Sequence, residues 1–333
     1  MMSVNVKEEK MKKKGSLISA IRSWSNHSSS QISIFAALVV LAIVFSFLSP
    51  YFLTSANWKS ILVYCSYIGV MAAGLSVVIV QGGIDLSQVS SMAFNIMIAA
   101  LALNSGMNIG LVLLIVIATS ALIGIINGCL VTYGKINPLI ATLGMQMILR
   151  ALAFILTDGA YISTDNAVLR FIGKGDVVGI PVLLIITAVV YIVISIVMKY
   201  TQFGRNVYVV GGNPLASYYS GINIAKVRIF SYIISGITAG IAAIMLLSMT
   251  SVALPNVGTG SDMDIIVAAV LGGISMSGGK GNVLGVLFGV LLLAVLANGM
   301  TLLSINTYMQ AVLKGMILIL AIYLDSARSV KNI

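Results

Sequence analysis

Gly82-Gly83-Ile84-Asp85-Leu86-Ser87 stands at the edge of an apolar block and returns in degenerate form as Gly272-Gly273-Ile274-Ser275-Met276-Ser277. Two further pieces return in the same order, Asn127-Gly128 as Asn298-Gly299 and Ile136-Asn137-Pro138-Leu139 as Ile305-Asn306-Thr307-Tyr308. The offsets run from about 170 to about 190 residues. A helical unit used twice is a common plan for membrane proteins that move a solute between two faces.

Composition points the same way. Of 333 residues only 8% are charged and 59% are apolar, against roughly a quarter charged in a soluble domain. The apolar residues fall into blocks long enough, at about 1.5 Å per residue, to cross a hydrocarbon core of ~30 Å. The blocks lie near 32–50, 61–80, 85–103, 110–132, 138–157, 181–200, 229–250, 264–277, 282–299 and 307–324. The expected fold class is all-α: a polytopic membrane protein of about ten transmembrane helices. A basic tail, 1–31, precedes the transmembrane domain 32–325, and a short tail, 326–333, follows it. Within the domain the halves are about 32–157 and 181–325.

The polar stretch before the first apolar block does not resemble a cleavable signal. Leu17, Ile18, Ile21 and Trp24 have helical spacing, which suits either a short helix on the membrane surface or a mobile basic tail. Cys65 and Cys129 both fall inside apolar blocks and read as small packing residues. His27 is the single histidine, so no metal cluster is proposed.

The net charge of +10 orients the chain. With the N-terminus in the cytoplasm and ten crossings, fourteen basic residues fall on the inner side, among them Lys135, Lys199, Arg205, Lys226, Arg228 and Lys280. Only Lys59, Arg170 and Lys174 fall outside, with Asp158, Asp165, Asp176, Asp262 and Asp264. That asymmetry is the positive-inside pattern and it speaks against a nucleic-acid partner. Both termini are expected in the cytoplasm. Five crossings per half is an odd number, so the second half is expected to be inverted relative to the first.

The longest inner interruption is Thr201–Arg228. Asn213-Pro214 reads as a helix start, Leu215 to Ser220 supply about two turns, and Gly221 suits a left-handed stop. Ile222, Ile224 and Val227 then re-enter the apolar phase. A short helix on the inner face, tethered at both ends to membrane spans, is an element that a partner can push.

This loop resembles the coupling loop of bacterial ABC importer permeases, in the branch that carries ribose and related monosaccharides. Gly82–Ser87, Ala141-Thr142-Leu143-Gly144 through Ala153, and Val270–Gly285 resemble the same branch. These motifs span roughly three-quarters of the chain. One departure follows Ser87, where the branch commonly continues Val-Gly-Ser and this chain has Gln88-Val89-Ser90-Ser91. The resemblance implies a plasma-membrane permease that works as a homo- or heterodimer. It also implies two cytoplasmic ATP-binding subunits carrying the ATP and Mg, and an external substrate-binding protein. The contacts to the ATPase would come from Arg205, Asn213, Pro214, Leu215, Ala216, Ser217, Gly221 and Ile222. The chain itself is not expected to bind a cofactor or to be an enzyme. Its one decoy for a phosphate loop, Ser277-Gly278-Gly279-Lys280-Gly281, has Ile274 where the motif needs glycine and Gly281 where it needs Ser or Thr.

Polar residues inside the blocks are candidates for the translocation pathway: Asp85, Ser87, Asn127, Arg150, Asn298 and Lys314. Asp85 either offers a carboxylate to a hydroxyl-rich solute or caps the third span. Arg150, costly at mid-membrane by about 2.5–3.5 kcal/mol, either reaches outward toward Asp158 or faces the pathway, and Lys314 has the same two options. The acids Asp158, Asp165, Asp176, Asp262 and Asp264 are candidates for docking the binding protein, or are ordinary solvated loop residues. The glycines at four-residue spacing, Gly124 and Gly128, Gly236 and Gly240, and Gly281, Gly285 and Gly289, are read as close helix contacts. The expected cargo is a ribose-like monosaccharide. A furanosyl compound of the autoinducer-2 type, a nucleoside and a branched-chain amino acid remain open, as does an ion-coupled carrier or channel.

Overall fold

The computed structural model describes residues 34–330, so the basic tail, with its candidate surface helix, and the last three residues lie outside the described residues. The chain is mostly helical. In order it forms α1 (Ile34–Leu48), α2 (Ser55–Val80), α3 (Gln88–Asn104), α4 (Ile109–Thr132), α5 (Pro138–Ile155), β1 (Ile162–Ser163) and α6 (Ala167–Lys174). Then follow β2 (Asp176–Val177), β3 (Ile180–Pro181), α7 (Val182–Tyr200), α8 (Gln202–Gly212), α9 (Pro214–Tyr219) and α10 (Ile224–Thr250). The last elements are β4 (Val252–Ala253), α11 (Ser261–Leu271), α12 (Val283–Leu302) and α13 (Thr307–Val330). By length and composition six of them, α2, α4, α5, α7, α10 and α12, can cross a membrane; α1 and α3 are apolar but shorter.

Asparagine is the recurring start signal. The Asn108, Asn137, Asn223 and Asn282 side chains accept from the backbone N–H groups of Gly110, Leu139, Lys226 and Leu284 at 2.8–3.0 Å, each satisfying an orphan donor of a first turn. Such caps matter more in a slab without water, where an unpaired amide has no other partner.

α2 and α10 cross at the centre. α4 runs along α10, α12 runs along α2, and α3 and α11 pack beside this pair. The interfaces are built on small residues, as the glycine spacing predicts. A Cβ at Gly124 would stand 2.4 Å from the Tyr232 carbonyl oxygen, and one at Gly236 would stand 2.2 Å from that of Ser120. Backbones at that separation gain dispersion contacts that lipid cannot replace.

The glycine motif behaves differently from the expectation. Its two copies lie at the same end of the bundle, where the residues flanking them are joined by a hydrogen bond from the Gly279 amide to the Val80 carbonyl at 2.8 Å. A unit of five inverted crossings would put them at opposite ends, so this recurrence is not the register of such a repeat. The asparagine pairs share an offset near 170 residues, whereas the glycine pair is offset by about 190. The helices those asparagines open, α5 and α13, start at opposite ends of the bundle.

Local surprises cluster in the connections. Gln202–Gly212 is the regular helix α8 despite three valines and three glycines, since Val207 and Val210 are fully buried. At the far end β1 pairs with β4, β2 with β3, and α6 lays Leu169 against the bundle.

Replacing Gly124 with valine is expected to drive α4 off α10 and to convert a monodisperse detergent-solubilised protein into aggregate. Gly144→Ala, whose Cβ meets nothing within 4 Å, is expected to leave the elution profile in size-exclusion chromatography unchanged.

Candidate functional site

The 201–223 arm is built as a clip. Asn213 accepts from the Ala216 amide at 3.0 Å, and Pro214 occupies the first turn, where its missing N–H is no loss. At the other end the Gly221 amide donates to the Tyr218 carbonyl and the Ile222 amide to the Ser217 carbonyl, at 3.0 and 3.1 Å. That is a Schellman closure, with Gly221 at φ +78°. Ser217 points inward and is fully buried, its hydroxyl donating to the Asn213 carbonyl at 2.8 Å. Leu215, Tyr218 and Tyr219 point outward, 66%, 67% and 80% exposed. Arg205 is exposed on α8, with a long contact of 3.4 Å from its guanidinium to the Tyr200 carbonyl. A cleft of about 540 Å³ opens beside the clip, walled by Phe203, Asn206, Gly221, Ile222 and Phe230.

α8 connects this clip to the interior. A Cβ at Gly211 would overlap the Val80 carbonyl oxygen and stand 2.6 Å from the Gly279 amide nitrogen. The Tyr208 hydroxyl donates to the Gly281 carbonyl at 3.0 Å. The arm therefore rests, backbone on backbone, on both glycine-motif copies at once. This helix had a signal in the sequence: Phe203, Val207 and Val210 have the i, i+4, i+7 spacing of a buried face.

Asp85, Ser87 and Asn127 come together in a buried network that leaves the Asn127 Oδ1 without a partner among the described residues. One Asp85 carboxylate oxygen accepts from the Ser87 amide at 3.0 Å and the Ser87 hydroxyl at 2.6 Å, and the other accepts from the Ser235 hydroxyl at 2.7 Å. The Asn127 amide group donates to the Ser87 oxygen at 2.8 Å, and the Tyr232 hydroxyl donates to the Ile84 carbonyl at 3.0 Å. All three candidates are buried, and they staple the break between α2 and α3 to α4 and α10. Asp85 is not the cap of α3 either. Ser87 holds that position, and Asp85 makes a local turn ahead of it. Gln88 extends the staple by donating to Met71, Ser235 and Thr238 oxygens at 2.9–3.2 Å.

Arg150 is a clamp. Its guanidinium donates to the Pro255 and Val257 carbonyls at 2.8 and 2.9 Å, and so fastens α5 to the segment that enters α11. It does not pair with Asp158; its guanidinium is taken up by the two carbonyls.

Asn298 and Lys314 meet in the opposite half of the bundle from the glycine motifs. Lys314 donates to Asp264 at 2.7 Å, and Asn298 and Asn57 exchange amide hydrogen bonds at 2.8 and 3.0 Å. Asp264 is thus a buried side chain of α11 and not a loop acid open to a docking partner. Of the other acids, Asp165 pairs with Arg170 and Asp176 with Lys59 at 3.3 Å. Asp262 lies part-buried in the first turn of α11 near Arg150, while Asp158 is exposed. Sequence reasoning missed Asn57, Tyr64 and Gln310, which line or complete this cluster, because none belongs to a recurring motif.

Residues 57–322 match the family described as branched-chain amino acid transport system / permease component. The chain is 37% identical over 302 residues to the ribose import permease protein RbsC of Escherichia coli K12, covering 90% of this chain and 94% of that one. It is 36% identical to RbsC of Bacillus subtilis 168, covering 89% and 92%. It is 32% identical to the L-arabinose ABC transporter permease protein AraH of Azospirillum brasilense, covering 87% of both. No solved structure matches the chain. The coverage is nearly end to end on both sides, and the chain belongs to this family of ABC transporter permease subunits.

Proposed function

We propose that this chain is the multi-pass membrane subunit of an ABC importer that passes a ribose-like monosaccharide into the cytoplasm. It pairs with a second permease copy or a related permease. Two ATP-binding subunits on the inner face carry the nucleotide and Mg, and an external binding protein delivers the sugar. The single observation that carries the reading is the capped, outward-facing α9 clip of a chain 37% identical to a ribose permease over 90% of its length. A helix closed at both ends and bonded through α8 to the membrane breaks is suited to receiving force, not to binding substrate.

In this reading the ten helices other than α6, α8 and α9 each cross the membrane, with both termini inside. The neighbour pattern supports two inverted five-helix halves. α2 with α12 mirrors α10 with α4, α3 with α10 mirrors α11 with α2, and α3 with α5 mirrors α11 with α13. The Asn137 and Asn306 caps, at opposite ends, fit the same mapping.

An ion-coupled carrier fits less well, because Asp85 already accepts hydrogen bonds on both oxygens and keeps little capacity for a coupling ion. The family's printed description favours a branched-chain amino acid as the second reading of the cargo. Radiolabelled ribose and leucine offered to cells that express the assembled importer with its own binding protein separate the two, and uptake of leucine alone overturns the sugar reading.

Three outcomes are expected at the clip. Gly221→Val, which forces a β-branched residue to φ +78°, should leave the chain in the membrane and reduce ATP-dependent uptake at least tenfold. Leu215→Asp changes an exposed side chain, so the permease should fold normally yet fail to co-purify with the ATP-binding subunits. Asn213→Ala removes a cap usually worth ~1 kcal/mol and should give intermediate uptake, measured in the same cells.

A further inference from the structure

In the half of the bundle away from the clip, two cavities of about 380 and 350 Å³ adjoin one another. Tyr64 of α2 and Gln310 and Lys314 of α13 line both. The first cavity continues to Thr259, Gly260 and Ser261, where the connection after β4 enters α11. The second reaches Asn298 and Thr301 of α12. Asp264 and Lys314 form their 2.7 Å ion pair at this shared wall.

An ion pair at this depth calls for a reason. Lys314 lies seven residues into α13, about 10 Å along the helix axis, and ionisable side chains inside a membrane are expensive. A buried pair is rarely the most stable filling for its space, since apolar side chains of similar volume commonly do as well or better. The pair is also not sealed: Lys314 keeps 23% of its side chain accessible and Asp264 keeps 11%. The ammonium has three N–H donors and the carboxylate about four acceptor positions, so most of their hydrogen-bonding capacity is not used on each other.

We propose that these joined cavities are a sugar-contact site on the outer side of the path, with the Asp264–Lys314 pair as its recognition element. The inference rests on the sugar-importer reading above and names a place where the cargo touches the membrane subunit. A monosaccharide offers adjacent hydroxyls, each both donor and acceptor. One hydroxyl donates to the Asp264 carboxylate, beside the Tyr64 hydroxyl that already bonds it, while its neighbour accepts from Lys314. Charge-assisted bonds of this kind are roughly twice as strong as neutral ones. Because the two charges stay balanced, the site attracts a neutral, hydroxyl-rich ring and not an ion. Tyr64 and Gln310 supply further polar contacts, and the apolar parts of Met263, Val267 and Ala311 face the ring carbons. No covalent step is involved.

The test uses the complete importer, with its ATP-binding subunits and binding protein, in proteoliposomes with radiolabelled ribose. Three permeases are compared: wild type, Tyr64→Phe, and the double variant Asp264→Asn with Lys314→Gln. The double variant removes both charges together and so leaves no unpaired ion. A purely structural pair predicts that it restores uptake along with folding. The site predicts instead that ATP hydrolysis stimulated by the loaded binding protein stays within about twofold of wild type, while ribose accumulation falls at least tenfold. Tyr64→Phe, which deletes one hydroxyl, is expected to lower accumulation severalfold with the same hydrolysis. Wild-type accumulation in both variants overturns the site and leaves the importer reading intact. Loss of folding in the double variant, with Tyr64→Phe at wild-type accumulation, also overturns it. Absence of ribose uptake by the wild-type assembly overturns the importer reading, and this site with it.

Discussion

A polypeptide that breaks its helices inside a membrane must find a partner for each exposed amide and carbonyl, because hydrocarbon provides none. Both glycine-motif segments meet that demand at the same place. The Val80 carbonyl, freed by the end of α2, accepts from the Gly279 amide, and the Ile84 carbonyl accepts from Tyr232. Asp85 gathers the Ser87 amide and two hydroxyls. The central crossing of α2 and α10 depends on this staple, since α10 contributes Tyr232 and Ser235 and α3 contributes Gln88. Asp85, Ser87 and Asn127, the pathway candidates of this end, are all engaged in that staple.

The same junction gives the inner face its mechanical character. The clip at 213–222 does not hang on a flexible loop. It continues into α8, whose terminal glycines lie directly against the two breaks, and the contact is made by main chain. Main-chain contacts have no rotamers to absorb displacement, and well-packed interiors transmit strain. A push on the clip is therefore delivered to the two segments at which α2 and α11 end and α3 and α12 begin.

Much of the helical framework was legible from apolar block length, and the clip was legible almost residue by residue. Asn213, Pro214 and Gly221 each have a single local reason to be where they are. Other features were hidden for physical reasons. α8 masks the buried-face spacing of Phe203, Val207 and Val210 behind three glycines and several β-branched residues, and burial of Val207 and Val210 overrides that weak propensity. The role of Arg150 depends on the carbonyls of Pro255 and Val257, about a hundred residues away, which no local pattern encodes. The glycine motif misled in a different way: similar sequence marked similar backbone demands at one end of the bundle, not equivalent places in two halves. The cluster around Asp264 and Lys314 draws on four helices, and only its two charged members and Asn298 stood out beforehand.

The arm divides into a heel and a tip with different freedom to change over generations. At the heel, Gly211 has no room for even a methyl group, so substitutions there are purged whatever engine drives the transporter. At the tip, Leu215, Tyr218 and Tyr219 are largely exposed, so the packing of the bundle sets no such limit on them. Under the coupling proposed for the clip, a lineage that exchanges one motor for another need rewrite only those outward side chains, with the lever behind them kept.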